Sequence, residues 1–550
     1  MRYIKSALGG AAAMTVALAF YGCNGSDDNS SNSGTTAPPA NQPSTPATPA
    51  AEVTGKWTTG DLHVHTIESD DAQGKLVDVL DQALVKNNLD WTAISNHLRP
   101  STRDQNGTNI VGGPLPFSQA MAQYEIPAVR QLQVNGSYTS KLIFSAFEWD
   151  MPTHDHMNVG IFTGSPLATA TKASNQFEYY FTSRPDTQFD PVDVANWNAT
   201  GTRASSTHAD AVKAVAWLRD NYPDTSYALI NHPSRNNGKY TAADYREFND
   251  TAPNIVFGVE GMVGNQMEPD RGGYATSYID ANLKNRVYGG VDYVVAQVGG
   301  IWDALLGDGR RFWNVGDSDH HFKTIGANSS GYFPGEYAKT YVWIDNKYTG
   351  IKGVLEGVRS GKMFSVFGDL INALDFNLAS GNAKGEMGGE LKAKSGDTVT
   401  VTIRFKSPDR NNYEYPINGG VNVNKRPVVD HIDLIAGDVT PRAAAGTPGY
   451  SKETNDSTKV IATFTAADWK QDKDGYNTVT YTYKATKNQY FRLRGTNLGM
   501  NVPGETSNGN PLPDPRTTVT EDQARFDAIN ARNYNDLWFY SNPVFVTVGS

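Results

Sequence analysis

The residues best able to do chemistry in this chain are its histidines. Ten occur among 550 residues, and eight of them lie in or beside short apolar runs that end in polar clusters. His63-Val64-His65 places two imidazoles two residues apart, and strand side chains repeat every second residue, so both face one side. Two nitrogens can then reach one cation. His97, His156, His232 and His321 stand at or next to the ends of other such runs, with Asp70, Glu148 and Asp319 supplying carboxylates. A lone histidine is more often a satisfied polar residue, but six imidazoles and three carboxylates are enough donors for two or three divalent ions. Mixed imidazole and carboxylate donors without thiolate suit Zn, Mn or Fe. Two such ions about 3.5 to 4 Å apart lower the pKa of a bound water and polarise the bond under attack.

These residues need elements to hold them. Short β-branched or aromatic runs at 62–65, 91–97, 142–148, 157–162, 227–232, 255–260 and 312–319 have the character of buried parallel strands. Helix-period segments at 75–86, 209–219, 277–284 and 350–359 lie between several of them, and this alternation predicts an α/β fold over 56–370. In barrels of that class the chemistry gathers at the carboxyl ends of the strands, where these clusters sit. From 371 to 550 the pattern changes to alternating strands at 398–405, 431–435, 460–464, 478–483, 490–494 and 543–548, punctuated by Gly, Pro and Asn. That pattern predicts a C-terminal β-sandwich domain. It holds only His431 and no cysteine, and is expected to shape the site without contributing a catalytic group.

Composition narrows the possibilities. Hydrophobic residues make up 39% of the chain, which excludes a membrane-embedded or wholly disordered protein. A net charge of −10 repels a polyphosphate backbone, so no nucleic acid is expected as a partner. The single cysteine, Cys23, excludes a disulfide framework and a Cys-based zinc cluster. Residues 1–23 carry Arg2 and Lys5, then an apolar stretch, then Tyr21-Gly22-Cys23, which is the layout of an export signal. The segment resembles a bacterial lipoprotein signal cleaved ahead of Cys23, although Phe20 and Tyr21 depart from the usual residues there. A plain secretory signal is the alternative. Residues 24–55, rich in Ser, Asn, Thr, Pro and Ala, read as a disordered linker. The expected address is therefore outside the cytoplasm, with the membrane as partner through a lipid on Cys23 if the signal is so processed.

Taken in order, Gly60-Asp61-Leu62-His63-Val64-His65-Thr66, Ser69-Asp70, Asn96-His97, Glu148, His156-Met157-Asn158, Ile230-Asn231-His232-Pro233 and Gly316-Asp317-Ser318-Asp319-His320-His321 resemble the polymerase and histidinol phosphatase (PHP) superfamily. The resemblance implies a distorted (β/α)7 barrel and a site for up to three divalent metals. It further implies that a first metal takes His63, His65, Glu148 and Asp319, and that a second shares Glu148 and adds His156 and His232. A third would take Asp70, His97 and His321. Asn96 stands where the family commonly has Asp, and His154 and His320 have no ligand role in that pattern. Glu148 and Asp319 are thereby candidate catalytic residues, around a metal-bridging hydroxide as nucleophile.

Arg99 and Arg235 follow two of these clusters and could grip a phosphate oxygen pairwise, or equally pair with surface carboxylates. Asp61, Asn158, Asp317 and Glu260 are candidates for orienting ligand imidazoles or for capping turns. Segments 301–306, 490–495 and 537–543 resemble an exported group of PHP-type hydrolases that includes carbaryl-hydrolase-like enzymes. The first expectation is a metal-dependent phosphoesterase acting on a small molecule, with carbamate or carboxylic ester hydrolysis as runner-up. A non-catalytic, lipid-anchored binding protein is the third reading. No G-x-S-x-G elbow or P-loop supports a serine hydrolase or NTPase.

Overall fold

The computed structural model describes residues 54–236, 238–264, 271–272, 274, 282–323, 331–411 and 425–549. The expected export signal, nearly all of the linker and most of the helix expected at 277–284 lie outside the described residues. The fold is mixed α/β, with several sheets. The first strand, Gly55–Asp61, runs parallel to Trp91–Ile94, which runs parallel to Leu142–Ser145. Trp91–Ile94 is buried at every position, as expected for a strand covered on both faces. Gly60 has no side chain because the Trp91 ring occupies that space, 2.1 Å from where a Cβ would stand.

A second sheet carries Phe147–Asp150, His156–Thr163, Ser226–Ile230 and Val256–Val263, with Trp313–Asp317 parallel to the last of these. Phe147–Asp150 and His156–Thr163 form an antiparallel hairpin, so His156 opens its strand rather than closing it. Two isolated parallel bridges join the two sheets. One is His97↔Glu148 and the other Val64↔His320, so the seams are made by members of the histidine-rich set or their immediate neighbours. Backbone bonds reinforce them, from Leu98 N to Glu148 O at 2.7 Å and from His65 N to His320 O at 2.9 Å.

Helices cover these strands. Thr207 and Asp210 form a capping box on helix His208–Asn221, and Thr241 and Asp244 do the same for Ala242–Thr251. Helix Gly350–Ser360 stops at Gly361, whose φ of +72° a side chain would strain.

The β-rich C-terminal part is joined to this core through a continuous sheet. Ala338–Asp345 pairs with Gly55–Asp61 and with Met363–Phe367, which in turn pairs with Trp538–Ser541. Beyond it follow Gln489–Thr496, Val544–Gly549 and Glu390–Lys394. A separate five-stranded sheet contains Ala373–Ser380, Thr398–Lys406 and Asn477–Lys484. Hydrogen-bonded strands therefore cross residue 370. Fully buried ion pairs do so as well: Arg492 grips Asp303 through two bonds of 2.8 and 2.7 Å, with neither side chain exposed to solvent.

Candidate metal centre

The spacing of the HxH motif has the consequence expected of it: His63 and His65 turn their Nε2 atoms to within 3.0 Å of each other. They lie just past the end of the first strand, and each ring is held from behind. His63 Nδ1 is 3.1 Å from Glu260 Oε2, and His65 Nδ1 is 3.0 Å from Ser69 Oγ. Glu260 thus holds the Nδ1 side of the His63 ring and leaves Nε2 facing the cluster.

Glu148 is the hub. Its carboxylate lies 3.2 Å from His63, 3.3 Å from His65, 3.0 Å from His97, 2.8 Å from His156 and 3.2 Å from His232. Asn231 Nδ2 donates to Oε1 at 2.8 Å. Asp319 stands 3.1 Å from His63 and 3.2 Å from His65. Glu148 Oε2 and His97 Nδ1 are buried and make no hydrogen bond among the described residues, although they are 3.0 Å apart. Buried donor atoms this close that do not bond one another suit the coordination of a cation. Sets whose donor atoms lie within 4.8 Å of one another include His63, His65, Glu148 and Asp319; Glu148, His156 and His232; His65, His97 and His321; and His97, Asp150 and His156. These residues could hold divalent metal ions, and mixed imidazole and carboxylate donors suit them chemically.

Two of the candidate ligands are bought with backbone strain: His232 has φ of +26° and Asp319 φ of +46°. Non-glycine residues adopt such angles where the surrounding structure enforces them, and functional sites are where they cluster.

Asp70 is not brought to the third set. Its side chain is more than half exposed and its nearest charged neighbour is Arg99, at 3.5 Å. Asp71 takes the place instead, 3.0 Å from His97 Nε2 and 3.5 Å from His321 Nε2. The turn explains the exchange: Arg103 clamps the carbonyls of Ser69, Asp70 and Ala72, and consecutive side chains of a turn point different ways. Two adjacent aspartates give a sequence reader no means of choosing between them.

Asn96 accepts from Thr66 N at 2.7 Å and from Ser69 Oγ at 3.0 Å, and donates to Glu125 at 3.1 Å. It ties the loop after His65 to the strand before His97. Asp61 accepts from the backbone N–H of His63 and Ser318, and Asp317 from that of Leu62. Asn158 donates to the Leu62 carbonyl. These three fix the ligand-bearing backbone rather than the imidazoles, whereas Glu260 holds an imidazole directly. His320 turns away, with Nδ1 3.0 Å from the Tyr332 carbonyl.

Both candidate arginines face the centre. Arg99 forms a two-pronged pair with Asp150, at 2.8 and 2.7 Å, and comes within 3.4 Å of His156. Arg235 lies 3.5 Å from Asp319, 3.3 Å from His156 and 3.7 Å from Asp155. Asp150 and Asp155, which the motifs did not single out, also stand 3.0 and 3.6 Å from His156.

The electrostatics follow from this crowding. Burial raises the Glu148 pKa, but the charges of His156, His63 and His97 overcome it and hold the carboxyl well below its ordinary range. Burial, helped by the neighbouring Asp319 and Glu148 charges and opposed by His63, pushes Glu260 up to about 7. For His156 burial acts downward, yet the Glu148 charge and the Asp150 and Glu148 contacts push it up to about 10. His232 goes the other way, to about 4, through burial and the neighbouring Arg235.

A pH dependence follows for the metal-free chain. His156 is doubly protonated at neutral pH and must lose a proton before it coordinates, so metal affinity should rise with pH toward about 10. The same raised value means that the His156 pairing stabilises the metal-free fold fully below 6.5, and that this is lost as pH climbs through about 10. Calorimetry in two buffers of different protonation enthalpy should register proton release on metal binding. An affinity flat from neutral to alkaline pH, with no proton released, would count against this.

No protein-family model matches the chain, and no curated protein matches it. Among solved structures it is similar to a two-domain protein containing a predicted PHP-like metal-dependent phosphoesterase from Bacteroides vulgatus ATCC 8482. The identity is 13% and the TM-score 0.31, with 85% of this chain and 96% of that chain covered.

Proposed function

We propose that the chain is a metal-dependent hydrolase of the PHP type that acts on small phosphoesters outside the cytoplasm. The observation that carries the reading is the convergence of five imidazoles on Glu148, with Asp319 against His63 and His65 and two guanidiniums beside His156. Two further features are compatible with a distorted seven-stranded barrel, namely the parallel strand groups and the bridges that join the two sheets. His63, His65, Glu148 and Asp319 would hold one ion, Glu148, His156 and His232 a second, and His65, His97 and His321 with Asp71 a third. Divalent ions there would supply Lewis acidity, activating water and polarising the bond under attack.

The chain's own groups do the rest. Glu148 and Asp319 offset the positive charge gathered by the site, Glu260 and Ser69 orient His63 and His65, and Arg235 presents a guanidinium suited to the equatorial oxygens of a phosphoryl group. Export and a lipid on Cys23 remain part of the proposal on sequence grounds. Among the described residues no helix is long and apolar enough to cross a membrane.

A specific observation favours the runner-up, carbamate or carboxylic ester hydrolysis. Arg99 is already paired through two bonds with Asp150, which reduces its attraction for an anion. Kinetics separate the two reactions. With a phosphoester substrate, Arg235→Ala should lower kcat/KM by about 10²-fold or more, against little change for a neutral naphthyl carbamate. The comparison uses bis(p-nitrophenyl) phosphate, p-nitrophenyl phosphate and the carbamate in wild type, Arg99→Ala and Arg235→Ala. Efficient carbamate turnover with phosphate esters inert in every metal form would replace the first reading by the second.

A further inference from the structure

The geometry points to an additional, part-exposed cation site made by His154, His208 and Asp244 and suited to one zinc-like divalent ion. It shares no residue with the central cluster and does not depend on the reaction proposed there. His154 lies in the turn between Phe147–Asp150 and His156–Thr163, His208 opens helix His208–Asn221, and Asp244 sits in the first turn of helix Ala242–Thr251. One donor atom from each comes within 4.8 Å of the other two.

The surrounding hydrogen bonds fix where the lone pairs are. His154 Nδ1 faces the Lys239 carbonyl, which only accepts, so Nδ1 carries the proton and Nε2 a lone pair. His208 Nε2 is 3.1 Å from the exposed Glu247 carboxylate, which keeps a proton on that nitrogen and leaves Nδ1 as donor to a cation. These two lone-pair nitrogens, His154 Nε2 and His208 Nδ1, are 2.8 Å apart. Asp244 spends Oδ2 on the backbone N–H and hydroxyl of Thr241, at 2.7 and 2.8 Å, and turns Oδ1 toward His208 Nδ1 at 3.8 Å.

Two lone pairs at that separation repel unless a proton or a metal ion lies between them. An imidazole backed by a carbonyl and another backed by a carboxylate is the outer support that metal-ligating histidines use. At Zn–N lengths of about 2.0–2.1 Å in tetrahedral geometry the nitrogens would stand about 3.3 Å apart, a shift of about half an ångström. His154 is held by stacking on Tyr240, with ring centroids 4.9 Å apart and planes 14° apart. His208 is about one-third exposed, which leaves it free to adjust and open to solvent. Thiolate is absent and imidazole dominates, which selects late first-row ions over Mg²⁺ or Ca²⁺. An ion here would pin the turn between Asp150 and His156 to both helices.

The test is made on the full chain, stripped with chelator, reloaded with Zn²⁺ and analysed for bound zinc. His208→Gln should bind one zinc fewer per chain than its parent, both in the wild-type background and in a Glu148→Gln background. Equal zinc with and without His208 in both backgrounds would overturn the site. If His208→Gln loses its native circular dichroism, the unaltered chain decides the matter. Zn²⁺ should slow carbethoxylation of His208 by diethylpyrocarbonate several-fold, read by peptide mass spectrometry, and an unchanged rate would overturn the site.

Discussion

Replacing Glu148 with Gln is expected to remove most of the central metal and to lower turnover by on the order of 10²–10³ or more. The substitution keeps the volume and removes one charge, so any loss reports electrostatics rather than packing. Five imidazoles lie within 3.3 Å of that carboxylate, two of them holding raised pKa values in part through it. His320→Ala is the matched control. His320 is equally buried and adjacent in sequence to Asp319, but its ring faces the Tyr332 carbonyl and Phe333 instead of the cluster. Its removal should cost stability and leave metal content nearly intact. Elemental analysis and kcat/KM on both variants check this, and equal losses of metal would mean that the ligand register is wrong.

The second large effect is on stability. Arg492→Met should destabilise the fold by about 3–5 kcal/mol, because it strands a buried carboxylate. Asp303 has no exposed surface, and besides Arg492 it is bonded by Tyr490 at 3.0 Å and by Gly299 N at 2.7 Å. Pairing it with Asp303→Leu should recover part of the loss, since two apolar side chains need no counter-charge. Denaturant unfolding of both single variants and the double variant measures this. A single-variant loss within experimental scatter of wild type would show that the pair does not hold the two parts together.

The pairing of His63 with His65 was legible in the sequence because its geometry is local, whereas the residues that meet it from other strands were reached only through a resemblance. The two-residue repeat of a strand places His63 beside His65 without knowledge of anything else. The choice between Asp70 and Asp71 was not legible, because it depends on where Arg103 grips the turn, a contact more than thirty residues away in sequence. Asp150 and Asp155 escaped for a similar reason: they flank a hairpin whose reversal is fixed by strand pairing rather than by composition. In the fold, the mixed α/β character followed from the alternation of strand and helix periods. The sheet that continues across residue 370 did not, since the near-continuously apolar character of Met363–Phe367 or Trp538–Ser541 says nothing of which strand lies alongside. The segments 301–306, 490–495 and 537–543 were noticed only as likenesses. Their physical content is that Asp303 meets Arg492 and Tyr490, while Asn542 exchanges bonds with the backbone of Asn314.

The bridge between Val64 and His320 also bears on the order of events during folding. It joins positions that are distant along the chain, so the loop it closes is among the slowest to form. His65 and Asp319 meet only when that loop closes. Until then the growing chain offers a passing ion half a coordination sphere, and weak, exchangeable binding is all it can sustain. Tight capture of a divalent ion would thus be a late event, after the strand Trp313–Asp317 that precedes Asp319 has docked.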